Sequence, residues 1–129
     1  MNIREKISSV IVGAKKYFQQ TNYEEHRLES VFQDQFFLEF YYLYPNVSSA
    51  TFAAKTDILQ TKIDQYTMEK YGLEFFQLCN KHRIEHFLGK NAVFVSVENL
   101  DNSSLKGTGF TNIEEFKNAF SIYAPISFN

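Results

Sequence analysis

Four stretches of this chain carry apolar residues at three- and four-residue steps, and Pro45, Gly72 and Gly89 punctuate them. That period is the signature of helices that bury one face. In residues 2–20 the stripe is Ile3, Ile7, Val10, Ile11, Ala14 and Phe18. A capping box from Thr21 with Glu24, or Asn22 with Glu25, starts a second helix. Its stripe is Leu28, Val31, Phe32, Phe36, Phe40 and Leu43, and Pro45 stops it. Residues 36–44 have strand-like side chains, but no turn signal separates them from Leu28, so they are read as helix. Ser48 or Ser49 caps a third helix with Phe52, Thr56, Leu59, Ile63 and Tyr66 inward, ending near Gly72. A fourth turns Leu73, Phe76, Asn80, Ile84 and Phe87 inward and ends at Gly89.

The character changes after Gly89. Residues 92–98 are short, β-branched and flanked by Asn91 and Asn99, which predicts a strand. Residues 99–109 read as a loop, with Gly107 and Gly109 turning the chain. Thr111 with Glu114 suggests a cap for a helix bearing Ile113, Phe116, Ala119 and Phe120. Pro125 then precedes a last strand, Ile126 to Phe128. A lone strand cannot leave its backbone groups unpaired, so 92–98 must pair with the C-terminal segment, with part of the loop or with another chain. The expected fold is mainly α, in the α+β class: about four antiparallel helices over 1–89, then a small β/α segment over 90–129. At 129 residues the chain fits a single domain.

Composition narrows the function classes. Aromatic residues make up 17%, from 14 Phe and 8 Tyr with no Trp, which is incompatible with a disordered chain. The net charge is −2 and the Lys and Arg residues are scattered, with small groups at Lys15-Lys16 and Lys81-His82-Arg83. General electrostatic binding to nucleic acid is disfavoured. Cys79 is the only cysteine, so no intramolecular disulfide forms and a reducing compartment fits. Ser8, Ser9 and Lys15-Lys16 interrupt what could pass for a leader, and no run approaches a membrane span. The expected location is cytoplasmic.

His82-Arg83-Ile84-Glu85-His86 fits H-x-x-E-H. On a helix His82 and His86 share a face and could bind zinc, with Glu85 as general base on a metal-bound water. The spacing resembles that of inverted zinc metalloproteases over five residues, but those enzymes are far larger and bring a third acidic ligand from a helix well downstream. In this chain the glutamates beyond His86 are Glu98, Glu114 and Glu115, on or beside short elements. The alternative is a positively charged helix C-terminus, with Lys81, His82, Arg83 and His86 favoured by the helix dipole. Cys79 and His82 lie three residues apart without an evident orienting group, so Cys79 reads as a small, partly buried thiol beside Leu78 and Phe75. Gly107-Thr108-Gly109 lacks the spacing of a phosphate loop.

Tyr41, Tyr42 and Tyr44 cluster, with Tyr23, Tyr66 and Tyr71 elsewhere in the helical scheme. Tyrosine is favoured at protein interfaces. Glu24, Glu25, Glu29, Asp34 and Glu39 form an acidic set mostly outside the second stripe. The resulting expectation is a non-catalytic protein that works by contact with another protein through Tyr41, Tyr42, Tyr44, Glu24, Glu25 and Glu29, without a cofactor. In general type it resembles the bacterial toxin-neutralising immunity proteins, which are small, often acidic and not catalytic. That resemblance implies a basic toxin domain as partner. Two alternatives stay open: a small metal-binding protein or hydrolase centred on His82, Glu85 and His86, and a homodimer in which strand 92–98 pairs across a two-fold axis.

Overall fold

The computed structural model describes residues 23–91 and 95–127, and these are mainly helical. The helix expected over 2–20 and the caps at Thr21 and Asn22 lie outside them. Helix α1 covers residues 23–31 and runs on through Phe32–Leu38 as a π-helix. The wider turn is closed by the Glu39 amide donating to the Asp34 carbonyl at 3.1 Å. The helix does not reach Pro45. Phe40 takes a left-handed conformation at φ 57°, and Tyr41–Leu43 form one 3₁₀ turn.

Ser48 and Thr51 make a reciprocal capping box that starts α2, Ser49–Thr56. The single third helix expected from sequence is two helices: Asp57 turns left-handed at φ 58° and closes α2, and α3 runs Gln60–Tyr71. The Arg27 guanidinium donates to the carbonyl of Thr56 at 2.8 Å, satisfying one of the carbonyls that the early stop leaves open. Gly72 ends α3 at φ 69°, with its amide on the Met68 carbonyl. Glu74 and Gln77 cap the start of α4, Phe75–Lys90, which runs through Gly89. Asn91 caps its end by donating from Nδ2 to the Phe87 carbonyl at 2.8 Å.

The β/α reading of the C-terminal segment is corrected. No strand occurs among the described residues; Val97–Asn99 and Asn102–Leu105 are 3₁₀ turns. Residues 92–94 lie outside the described region. The Asp101 carboxylate and the Ser104 hydroxyl cap the second turn reciprocally. These local side-chain bonds give the backbone an alternative to a ladder. Asn112, not Thr111, caps α5 by accepting from the amides of Glu114 and Glu115 at 2.8 and 3.2 Å. Helix α5 runs Ile113–Ser127 and takes in Pro125, so the segment expected as a last strand is helical as far as Ser127.

Two apolar clusters result. The first joins Phe32 and Phe36 of α1 to Phe52, Ile63, Phe75, Leu78 and Cys79. Its rings pack edge-on and tilted, with Phe36–Phe75 centroids 5.6 Å apart and Phe52–Phe75 5.4 Å apart. The second joins Ile84 to Leu100, Phe110, Phe116, Phe120 and Tyr123. Helix α4 contributes to both clusters and packs on α3, on α5 and on the Tyr41–Leu43 turn. Its inward face is Phe75, Leu78, Cys79 and Ile84, while Phe76, expected inside, is exposed. No described helix is long and apolar enough to cross a membrane.

Candidate functional site

The tyrosine cluster divides. Tyr41 and Tyr42 are buried at 8% and 6% exposure, whereas Tyr44 is 60% exposed. The Tyr41 hydroxyl shares a hydrogen bond with Thr51 Oγ1 at 2.8 Å, and its ring lies 4.9 Å from that of Phe52. Burial pushes the Tyr42 phenol above its ordinary value, with the Glu85 charge adding to the effect. Of the three, only Tyr44 is exposed.

The acidic residues of α1 are exposed, and two of the four are matched by lysines of α3. Glu24 pairs with Lys62 at 3.3 Å and Glu29 with Lys70 at 2.8 Å. Lys70 lowers the pKa of Glu29, and Glu29 raises that of Lys70. Glu25 has no ion-pair partner among the described residues. The α1–α3 surface is therefore closer to charge balance than the α1 sequence alone suggests.

The H-x-x-E-H side chains lie on α4 in surroundings the sequence does not announce. His82 Nδ1 faces Glu85 Oε2 at 3.2 Å, and its ring sits within 6.0 Å of Phe36, Phe37 and Tyr42. His86 packs on Phe40 at 5.3 Å, and its Nε2 is buried without a hydrogen-bond partner among the described residues. Among the described residues no three His, Cys, Asp or Glu side chains are grouped to hold a metal. Burial holds both imidazoles below their usual range; Glu85 opposes this at His82, and Lys90 adds to it at His86. A histidine whose folded pKa is depressed disfavours the folded state once the unfolded chain takes up protons that the folded chain refuses. Stability should thus fall as pH drops through the ordinary histidine range, from about 7.5 to about 6. A His82→Gln, His86→Gln variant should flatten that slope in urea titrations. An equal slope in both proteins would place its origin elsewhere.

Cys79 is fully buried, and desolvation pushes its thiol up to about 12. It is a core thiol without a thiolate at neutral pH.

The side chain that organises this end of the molecule is Arg83, which the sequence places on a solvated helix end. It is only 8% exposed. Nε donates to the Tyr42 carbonyl at 2.5 Å, Nη2 to the Tyr44 carbonyl at 3.0 Å and Nη1 to Asn80 Oδ1 at 3.2 Å. The guanidinium carbon lies 5.2 Å from the Phe110 ring centroid. Arg83 therefore ties the turn after α1 to the segment that leads into α5, joining the two apolar clusters. Gly109 makes room for it: a Cβ there would come within 2.6 Å of Arg83 Nε and 2.9 Å of the Tyr42 carbonyl oxygen.

Arg83 also lines a cleft of about 520 Å³ between α4 and α5, together with Asn80, Gln77, Asn118, Phe76 and Ile122. That volume is in the range of small-ligand sites. Phe76 and Ile122 are 55% and 59% exposed. Phe76 also borders a second groove with Met68, Ser48 and Glu74. A buried cation, amide groups and exposed apolar walls converge here, and this cleft is the candidate site. The one signal for it in the sequence is Arg83 inside an otherwise apolar α4 stripe, which the histidines on either side obscure.

No protein-family profile, curated protein or solved structure matches this chain.

Proposed function

We propose that the protein is a non-catalytic binding module that acts by contact with another protein, and that the contact surface is the rim of the α4–α5 cleft. The observation that carries this reading is the exposure there of large apolar side chains from separate elements, Phe76 of α4 and Ile122 of α5, with Met68 of α3 exposed in the second groove that Phe76 also borders. Apolar groups grouped around concave surface mark interaction sites. Tyr44 adds an exposed ring whose backbone is fixed by Arg83. Neutralisation of a toxin, in the manner of the immunity-type proteins, is one form such contact would take. A basic toxin domain would draw on Glu25, since Glu24 and Glu29 already face lysines.

Affinity capture with three baits tests the reading. Wild type and Glu25→Lys should retain the same specific partner, and Phe76→Glu, Ile122→Glu should lose it. Loss with Glu25→Lys alone would place the contact on the acidic face of α1. Retention by all three baits would refute both surfaces.

A further inference from the structure

Buried charges are normally paired, because an uncompensated ion loses its hydration without recovering it. Arg83 departs from that rule in its direct contacts, since Glu115 of the same cleft acts on it only from beyond ion-pair distance. The three acceptors of Arg83 are two backbone carbonyls and an amide oxygen, all neutral. No described carboxylate lies within 4.0 Å of it. A guanidinium has five N–H groups, and these bonds use one on each nitrogen. Among the described residues, one N–H on Nη1 and one on Nη2 are left without an acceptor, so the guanidinium keeps donors for a carboxylate. The Asn80 side chain accepts from Nη1 through its oxygen, which leaves its NH₂ to donate, and Gln77 and Asn118 bring further amides to the same cleft. The opposite quality is supplied by Phe76, Val47 and Ile122.

We propose that the cleft between α4 and α5 binds a carboxylate carried on an apolar body, with the carboxylate on Arg83 and Asn80 and the apolar part against Phe76 and Ile122. The carboxylate can belong to a free organic acid or to the C-terminus of a peptide ending in an apolar residue. Glu115 also borders the cleft. Its charge acts against any anion in the cleft, and more strongly against a multiply charged ligand than against a single carboxylate. The proposal concerns the floor of the cleft and does not depend on a protein docking at its rim.

The test is calorimetric and NMR titration of the full chain with two probes: 3-phenylpropionate, and an acetylated tripeptide ending in leucine. Each is compared with its primary amide. The acids should bind roughly tenfold or more tightly than the amides, the difference expected of a charge-assisted hydrogen-bond pair. Preference for the first probe identifies a small organic acid, and preference for the second a peptide terminus. Asn80→Asp places a carboxylate beside Nη1 without removing the acceptor of Arg83; it should fold normally and abolish binding of both acids. Glu115→Gln should tighten both. Equal binding of acids and amides, no binding of either acid, or undiminished binding by a folded Asn80→Asp variant would overturn the proposal.

Discussion

Replacing Gly109 by alanine should cost the fold about 3–4 kcal/mol, far more than the same change at Gly72. Both glycines have positive φ, 85° and 69°, so both substitutions carry the left-handed penalty of about 1–2 kcal/mol. They differ in surroundings. Nothing lies within 4 Å of a Cβ at Gly72. At Gly109 the new carbon would meet Arg83 Nε at 2.6 Å and the carbonyl oxygens of Tyr42 and Leu43 at 2.9 and 3.0 Å. The guanidinium could swing away only by giving up its bonds, and the two carbonyls belong to a turn pinned between α1 and α2. Urea denaturation of the two variants beside wild type measures the contrast. Equal losses at the two sites would mean that the packing around Gly109 yields freely.

Arg83→Met should lower stability by about 3 kcal/mol, because the Tyr42 and Tyr44 carbonyls lose their donor at roughly 1–3 kcal/mol each. Methionine keeps much of the side-chain volume, so the loss reports the polar contacts rather than a cavity. Lysine should restore little: it keeps the charge but lacks the planar fork that serves two carbonyls and an amide together. The same denaturation experiment decides this. An Arg83→Met protein as stable as wild type would show that desolvating the guanidinium had cost as much as its bonds return. Because Arg83 Nε is the nearest atom to the absent Cβ, Arg83→Met and Gly109→Ala should be non-additive, the double variant losing less than the sum.

Several elements are legible in the sequence because their causes are local. A serine at 48 or 49 reads as a cap, and Gly72 as a stop, from residue type and spacing alone, and the structure selects Ser48. Cys79 reads as a partly buried thiol from its neighbours, and the structure buries it fully. Misreadings arise where two local solutions compete. Phe75 and Phe76 are chemically identical neighbours, and only the docking of α4 against Phe36 and Phe52 decides that Phe75 goes in. Leu59 fits the heptad of an unbroken third helix, yet Asp57 can adopt a left-handed conformation and the chain turns there instead. Val95 and Val97 of the strand expected over 92–98 are strand formers, but no neighbouring strand is present among the described residues, and a strand is stable only in company.

The candidate site is less legible than the helices. Residue type alone selects Tyr41, Tyr42 and Tyr44, and the structure buries the first two. Residue type also passes over Arg83, because a cation near a helix C-terminus has an ordinary explanation in the helix dipole. The sequence by itself determined that the chain is helical and aromatic-cored, and it set several of the caps and stops, because helix period, capping and glycine conformations act over a few residues. Only the tertiary structure decided which aromatic residues are surface and that Arg83 is a buried tie beside an open cleft. It also gave Gly109 a packing role beyond turning the chain. Those outcomes depend on contacts distant in sequence, between the Tyr42–Tyr44 turn and Arg83, and no local period records them.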